Sequence, residues 1–445
     1  MSSFKKKGNN FFGFIKYLYK PALVIILIQA TAITLFLYDN RGKIKTKIPQ
    51  LINLVGLSFD TFHPKDYKEY LSDLTRSIIS RKQLKRVDLS LSFKDKLKLE
   101  CDRKRKENCT KSGWVKAEIY MDNEKYRVKL RAKGDREIHR IRLSNMSFKA
   151  DLIGDKRFLG MEEFSIQLPI IRNYTYEPLA ARLLRKENIS STRNSYIRLY
   201  INGEYVGVRH LEEAMSKELV ESSKKRYGPI YSIEESISTI YEKAIFDLAD
   251  KKYWQRINNN LEREALTILE SSQTNPQIFN KYFDNKKWAK YMAMLDTLMM
   301  IHGTVPKSVK FYLNPVSGLI EPIFFDGHQG GWFHNYRLSD AITKNNLIPK
   351  CTLTCENMYF YRMMFGNGQN INYSFYKEYF NSLENFTSKD YIKNVLEKEW
   401  KNLWLERGTN YREFNKKDSI YHFGILPNIG SFNKLKDRFK NIRNE

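Results

Sequence analysis

Apolar and polar positions alternate along the chain from Lys85 to Ser232, and this alternation predicts a series of short β-strands. The stretch Tyr126–Lys133 is the clearest case, because its apolar side chains fall on one strand face and its basic side chains on the other. Asn202-Gly203 separates two further alternating runs, and this dipeptide is a strong signal for a β-hairpin. The predicted strands are Lys85–Leu99, Trp114–Met121, Tyr126–Lys133, Phe164–Leu168 and the two strands of this hairpin.

A helical period replaces the alternation after Ile233. The stretch Asn285–Ile301 is long, apolar and rich in methionine, which is typical of a buried core helix rather than of a cofactor site. Three other stretches also have helical periodicity or helix-forming composition: Tyr176–Glu187, Leu211–Tyr227 and Asp390–Arg407.

The segment Ile301–His328 follows the predicted core helix and combines a loop with a hairpin. Ser308–Leu313 and Leu319–Phe325 are predicted strands, and the turn residues Asn314–Gly318 join them. Kinase-type phosphotransferases have the same order of catalytic loop, short hairpin and metal-binding Asp-Gly. This order predicts Asp326 as a metal ligand, while the alternative is an ordinary Asp-Gly turn.

These patterns predict an α+β protein with an atypical two-lobed, protein-kinase-like fold. The β-rich first lobe is expected over 86–232, and the helical second lobe over 233–445, which includes the hairpin 308–328. A basic tail (1–20), one transmembrane helix (21–38) and a linker or helical stalk (39–85) are expected to precede the lobes.

The apolar run Pro21–Tyr38 has 18 uncharged residues, about the minimum for a membrane-spanning helix. A cleaved signal peptide is the alternative, because Ala30-Thr31-Ala32 resembles a cleavage site. Apolar residues continue beyond that site, which favours an uncleaved anchor. The sequence therefore predicts a single-pass membrane protein with the bulk of the chain outside the cytoplasm.

Charge and cysteine content point to the partners and the compartment. The net charge of +26 is spread along the chain and indicates an anionic partner: a nucleotide, a phosphate or an acidic envelope polymer. A solvated basic surface is the alternative, and the lack of a recognised nucleic-acid-binding motif argues against nucleic acid. Two local cysteine pairs, Cys101 with Cys109 and Cys351 with Cys355, predict two disulfides. The alternatives are a zinc site and four reduced thiols.

Candidate phosphate ligands and their supporting carboxylates lie in the β-rich half. Arg131, Lys133 and Lys149 lie on or just after predicted strands, and they supply the cations that phosphoryl transfer needs. Glu212 and Glu213 open the helix predicted after the Asn-Gly hairpin, where they are placed to pair with a strand lysine. The alternatives are a solvated strand face and acids that favour a helix N-terminus. The chain has neither a G-x-G-x-x-G loop nor an H-R-D motif.

Several short motifs resemble the spore coat protein H (CotH) kinase family in order and spacing. They are the strand end RAKG with the following SFKADL, the stretch RFLG with a later Arg-Asn, the NG hairpin with Glu-Glu, and KFYLNPVSGLIEPIFFD. The resemblance covers roughly residues 86–330. Within the family, the sequence resembles the bacterial membrane-anchored branch.

The resemblance implies an atypical kinase fold and ATP-dependent phosphorylation with Mg²⁺ in a secreted or membrane-anchored protein. By position, Lys149 or Lys133 would contact the phosphates. Glu213 or Glu212 would support that cation, and Asp326 would bind Mg²⁺.

Two departures from the family pattern fall in the loop before the hairpin. Ser308 stands where the family has Asn, and Gly303 stands where it has an acidic residue, with His302 beside it. A serine oxygen can still lie near a metal ion, and a neutral histidine can still act as a base. We therefore expect a kinase that phosphorylates a protein or envelope hydroxyl. The alternative is a degenerate kinase fold that binds or assembles an anionic envelope partner.

Overall fold

The computed structural model describes residues 66–103, 113–134, 139–140, 142–234, 244–257, 260–327, 364–367, 370–414 and 432–444. The predicted basic tail and transmembrane helix lie outside these residues. Within the described ranges, no helix combines the length and apolar character that a membrane crossing requires. Both predicted disulfides stay predictions, because Cys109, Cys351 and Cys355 lie outside the description.

Seven strands of the first half close into a barrel with the order β1-β2-β3-β4-β5-β8-β7, and a parallel pairing of β7 with β1 completes it. The strands are β1 (Lys85–Ser90), β2 (Val115–Met121), β3 (Glu124–Ala132), β4 (Phe148–Leu152), β5 (Glu163–Gln167), β7 (Asn194–Ile201) and β8 (Glu204–Glu213). The alternating apolar residues of these strands form one buried cluster, which includes Val87, Ile119, Val128, Leu130, Phe148, Phe164, Ile166, Leu199 and Leu211.

The predicted Asn-Gly hairpin is confirmed between β7 and β8, where Asn202 and Gly203 adopt φ angles of +49° and +83°. The predicted strand Lys85–Leu99 is wrong in its second half, because α2 (Phe93–Arg103) begins there. Ser92 caps the N-terminus of this helix. The Ser92 hydroxyl accepts a hydrogen bond from the Asp95 amide at 3.1 Å and donates one to the Asp95 carboxylate at 2.7 Å.

The predicted helix Leu211–Tyr227 is also largely wrong. Glu212 and Glu213 do not open a helix but end strand β8, which pairs with both β5 and β7. Only α4 (Lys217–Ser222) is helical in this stretch. Pairing on both edges of β8 satisfies its backbone groups and overrides the local helical pattern.

A second sheet has the order β10-β9-β11-β12-β6, so the second half is not purely helical. Its strands β6 (Ser190–Ser191) and β9 (Ile230–Ile233) come from the first half, and β10 (Phe246–Leu248), β11 (Lys310–Asn314) and β12 (Leu319–Phe324) come from the second. The short pair β13 (Gly366–Asn367) and β14 (Asn370–Ile371) is separate. The α+β class is confirmed, whereas the two-lobed kinase-like arrangement stays a prediction.

Eleven further α-helices lie within the described residues. They are α1 (Asp66–Ile79), α3 (Tyr176–Lys186), α5 (Lys251–Ile257), α6 (Leu261–Ser272), α7 (Pro276–Tyr282), α8 (Asn285–Leu298), α9 (Tyr373–Thr387), α10 (Lys389–Tyr391), α11 (Glu397–Asn402), α12 (Trp404–Phe414) and α13 (Phe432–Asn444). Helix α8 is the predicted core helix, and the burial of Met292 and Met294 confirms that its methionines pack in the core. The Asp284 carboxylate caps its first turn, and Met299 ends it with a φ angle of +56°.

Helix α1, which was predicted as part of a linker or stalk, packs against α12. The buried Arg407 guanidinium lies 2.7 Å from Asp73 and 3.3 Å from Glu69. A side chain at Gly408 would place its Cβ atom 2.3 Å from the Asp73 carbonyl oxygen. The close approach of the two helices therefore depends on a glycine at this position.

Candidate functional site

The strand register brings three of the predicted positions, together with Ser165, into one row across the barrel. Arg131 on β3 lies opposite Lys149 on β4, Lys149 lies opposite Ser165 on β5, and Ser165 lies opposite Glu212 on β8. Directly paired residues in a sheet share a face, and this face is opposite to the buried apolar face. Lys133 lies two positions beyond Arg131 along the chain and therefore on the same face of the sheet.

Lys133 and Glu212 form the central ion pair of the site. The Lys133 ammonium donates hydrogen bonds to the Ser165 hydroxyl at 2.8 Å and to the Glu212 carboxylate at 3.2 Å. The Lys133 side chain keeps 25% exposure, whereas that of Glu212 keeps 1%. Burial lowers the pKa of Lys133, while the charge of Glu212 acts in the opposite direction.

Arg172 extends this ion pair toward the hairpin. It ends the 3₁₀ turn Pro169–Arg172, and its guanidinium donates to both oxygens of Glu212, at 2.6 and 2.9 Å. Its third nitrogen, Nη1, donates to the Asp326 carboxylate. Burial alone would raise the pKa of Glu212, but the charges of Arg172 and Lys133 hold it at about 2. Lys133, Glu212, Arg172 and Asp326 thus form one continuous chain of charge pairs.

Asp326 lies just after β12 and adopts a left-handed backbone with a φ angle of +53°. Such a conformation is strained for a residue other than glycine and is common at functional sites. Its carboxylate accepts a hydrogen bond from the Ser308 hydroxyl at 3.3 Å, and its carbonyl oxygen lies 2.7 Å from His302 Nδ1. The Ser308 hydroxyl is also 3.3 Å from His302 Nδ1. The structure therefore brings His302, Ser308 and Asp326 together.

Three predicted residues do not join this cluster. Arg131 packs on the Trp114 ring at 5.3 Å from its centroid, and Lys149 forms an ion pair with Glu163. Glu213 binds the Arg193 side chain and its backbone amide. Adjacent strand residues point to opposite faces, so Glu212 and Glu213 cannot both serve the same site. Either lysine, Lys133 or Lys149, was expected to pair with either glutamate, Glu212 or Glu213. The structure pairs Lys133 with Glu212.

The sequence analysis missed Glu177, a second buried carboxyl of the cluster beside Glu212. Its side chain is 2% exposed and lies 3.4 Å from Arg172. Burial raises the pKa of Glu177 to about 8, although the charge of Arg172 opposes the shift. Glu177 is therefore mostly protonated near neutral pH. Its position in the first turn of α3 gave an ordinary helix-start signal and no sign of this environment.

Two cations of the cluster were also missed. Arg172 appeared in the sequence only as part of a family-like Arg-Asn, with no role. Lys310 begins β11 and is 7% exposed, and its neighbourhood includes the charge of Asp326. Burial lowers the pKa of Lys310 to about 8. A basic residue in an alternating strand normally indicates a solvated face, so no sequence signal identified it.

The donor set at Asp326 fits one nucleotide-bound divalent ion. In phosphotransferases Mg²⁺ is commonly held by one or two carboxylates together with substrate phosphates. Asp326 offers a carboxylate, and Ser308 offers a hydroxyl oxygen beside it. Among the described residues there is no group of three or more His, Cys, Asp or Glu side chains that could hold a metal without such a ligand.

The fold and the site together define an α+β protein with a kinase-like network of charge pairs. A family model described as CotH kinase protein matches residues 128–410. The match covers more than half of the chain, and the chain therefore belongs to the CotH kinase family. A search of curated proteins found no significant match. Membership supports a kinase-like function, with ATP and a divalent metal as the general cofactors of such enzymes.

Proposed function

We propose that this chain is an ATP-dependent kinase that phosphorylates a hydroxyl of a protein or an envelope component outside the cytoplasm. The observation that carries the proposal is the charge-pair chain Lys133–Glu212–Arg172–Asp326. Kinases need a lysine on the nucleotide phosphates, a glutamate that holds this lysine, and an aspartate for the metal. This chain supplies all three: Lys133 and Glu212 are in direct contact, and Arg172 links Glu212 to Asp326.

Lys133 binds nucleotide phosphates in this proposal. The Lys133 side chain keeps 25% exposure, and Ser165 and the buried carboxylate of Glu212 fix the position of its ammonium. Arg172 holds Glu212 in turn with two parallel hydrogen bonds, a geometry that restricts the carboxylate in both orientation and position. The lysine is thus oriented before the ligand arrives, which lowers the entropic cost of binding.

Asp326 and Ser308 are the proposed metal ligands. A bound divalent ion would neutralise phosphate charge as the phosphoryl group moves. His302 is the proposed base. Its Nδ1 donates its proton to the Asp326 carbonyl oxygen, which orients the ring, and a neutral imidazole can accept a proton from a hydroxyl.

Phosphate transfer from ATP labelled in its terminal phosphate tests this proposal, with dephosphorylated casein as an acceptor and the chain itself as a second one. We expect transfer by the wild type and by Lys149→Met, and none by Lys133→Met. Lys149 is the matched control because it lies on the same face of the sheet but pairs with Glu163 instead of Glu212. A folded wild type that transfers no label to either acceptor would refute kinase activity.

A second candidate function is a binding or assembly module for an anionic envelope polymer. Both Asp326 carboxylate oxygens already have protein partners, Arg172 and Ser308, and this observation favours the second function. The net charge of +26 also fits an anionic partner. This function predicts polyanion binding that needs no Mg²⁺ and weakens steeply with salt. Polyglutamate binding that is insensitive to salt would exclude it.

A location outside the cytoplasm is part of the proposal. It rests on the apolar run 21–38 and on the two cysteine pairs of the sequence. Protease treatment of intact cells tests it, because a chain anchored in this orientation is digested outside the membrane and an internal chain is protected.

A further inference from the structure

Two cations lie against one aromatic ring beside Asp326. The Phe325 ring centroid is 5.3 Å from the Arg172 guanidinium carbon and 5.2 Å from the Lys310 ammonium nitrogen. Both distances are within the range of cation–π contacts. Phe325 directly precedes Asp326, so the two cations and the proposed metal ligand occupy one small region.

Lys310 is nearly as buried as Arg172. It is 7% exposed, it begins strand β11 opposite Ile323 on β12, and its ammonium donates a hydrogen bond to the Lys307 carbonyl oxygen. An ammonium group has donors only and cannot be a metal ligand.

The charges of the cluster favour anions over additional metal ions. Lys133, Arg172 and Lys310 are cations, and the carboxylates of Glu212 and Asp326 oppose them. Burial favours the neutral form of the nearby Glu177 carboxyl. The cations among these groups therefore outnumber the charged carboxylates before any ligand binds. Each divalent ion that enters increases this excess, whereas nucleotide phosphates reduce it.

We infer that Lys310 takes the place of a second divalent ion, so that this site binds nucleotide together with one metal ion. Protein kinases of the usual type hold two Mg²⁺ ions, one on the Asp of the Asp-Phe-Gly motif and one on an Asn of the catalytic loop. Here Asp326 provides for one ion, and the Lys310 ammonium supplies the other positive charge to the phosphates. The inference rests on the proposed nucleotide site and deepens it.

Counting Mn²⁺ ions on the nucleotide complex tests the inference without any measurement of activity. The full chain is saturated with a non-hydrolysable ATP analogue, and bound Mn²⁺ is counted by electron paramagnetic resonance. We expect one ion per bound nucleotide in the wild type and two in Lys310→Asn, which replaces the cation by an oxygen ligand. Lys307→Asn is the control: it removes a nearby exposed charge at a backbone φ angle of +67°, which asparagine tolerates.

The Mn²⁺ count and the nucleotide affinity separate failure of the one-metal inference from failure of the proposed function. A count other than one in the wild type, or a count of one in folded Lys310→Asn, overturns the inference and leaves the nucleotide site standing. Absence of nucleotide binding by the folded wild type overturns the proposed function itself. Lys310→Met serves if the Asn variant fails to fold. We expect it to weaken metal-free nucleotide binding roughly tenfold, the scale of one charge-assisted hydrogen bond, and an unchanged affinity contradicts the inference.

Discussion

Replacement of Glu212 by glutamine removes the negative charge between Arg172 and Lys133 while it keeps the size of the side chain. Burial opposes ionisation of this group, but the two cations lower its pKa from 4.5 to about 2. At 1.36 kcal/mol for each pH unit, the ionised form contributes about 3 kcal/mol to the free energy of unfolding. Loss of one partner of a buried ion pair typically costs about 3–5 kcal/mol, which is the same scale.

The difference in unfolding free energy between Glu212→Gln and the wild type should depend on pH. Because the pKa of Glu212 is lower in the folded than in the unfolded chain, its contribution is fully present above about pH 4.5. It disappears as the pH falls through about 2. We therefore expect Glu212→Gln to be about 3 kcal/mol less stable than the wild type at pH 7, and we expect the difference to shrink as the pH falls toward 2.

Urea unfolding followed by tryptophan fluorescence at several pH values measures this difference. The control is Glu124→Gln, because the Glu124–Lys156 pair is 2.6 Å long but both side chains are more than half exposed. Exposed pairs contribute less than about 1 kcal/mol, so this variant should unfold almost as the wild type does. Equal unfolding free energies for Glu212→Gln and the wild type at pH 7 would refute the reasoning.

Three further predictions concern the scaffold and the compartment. Gly134→Ala should destabilise the chain by about 2–4 kcal/mol in urea unfolding, because φ is +91° there and the new Cβ atom would lie 2.3 Å from the His139 ring. Gly408→Ala should lower the free energy of unfolding by about 1–3 kcal/mol, although alanine normally favours helix, because the new Cβ atom would lie 2.3 Å from the Asp73 carbonyl oxygen. It should also increase hydrogen exchange in α1, and unchanged exchange would argue against tight packing of α1. Thiol labelling of the native chain should detect no reactive cysteine, and four labelled thiols would contradict the proposed location.

The residues that could be predicted from the sequence are those with a local signal. Asp326 follows a hairpin with clear turn chemistry, and Lys133 and Glu212 lie on strands with strong alternation. Their grouping could also be anticipated from the order of the family motifs. The choice between Glu212 and Glu213 could not be predicted. It depends on which face of β8 lies on the same side of the sheet as Lys133.

Arg172, Glu177 and Lys310 depend on contacts between distant parts of the chain. Arg172 is 40 residues from Glu212 and 154 residues from Asp326 along the sequence. A single sequence carries no information about such pairings when each residue alone is typical of an exposed surface. The wrong helix at Leu211–Tyr227 has the same origin, because strand pairing decided that segment and local propensity did not.

Calorimetry of ATP binding by the full chain, with and without Mg²⁺, shows whether the charge-pair network is a nucleotide site. We expect the folded wild type to bind one ATP, and we expect Mg²⁺ to strengthen this binding. Asp326→Asn removes the metal carboxylate, so we expect it to keep the fold and to lose the effect of Mg²⁺. A folded wild type that binds no ATP under either condition would contradict the claim that this charge-pair network is a nucleotide site.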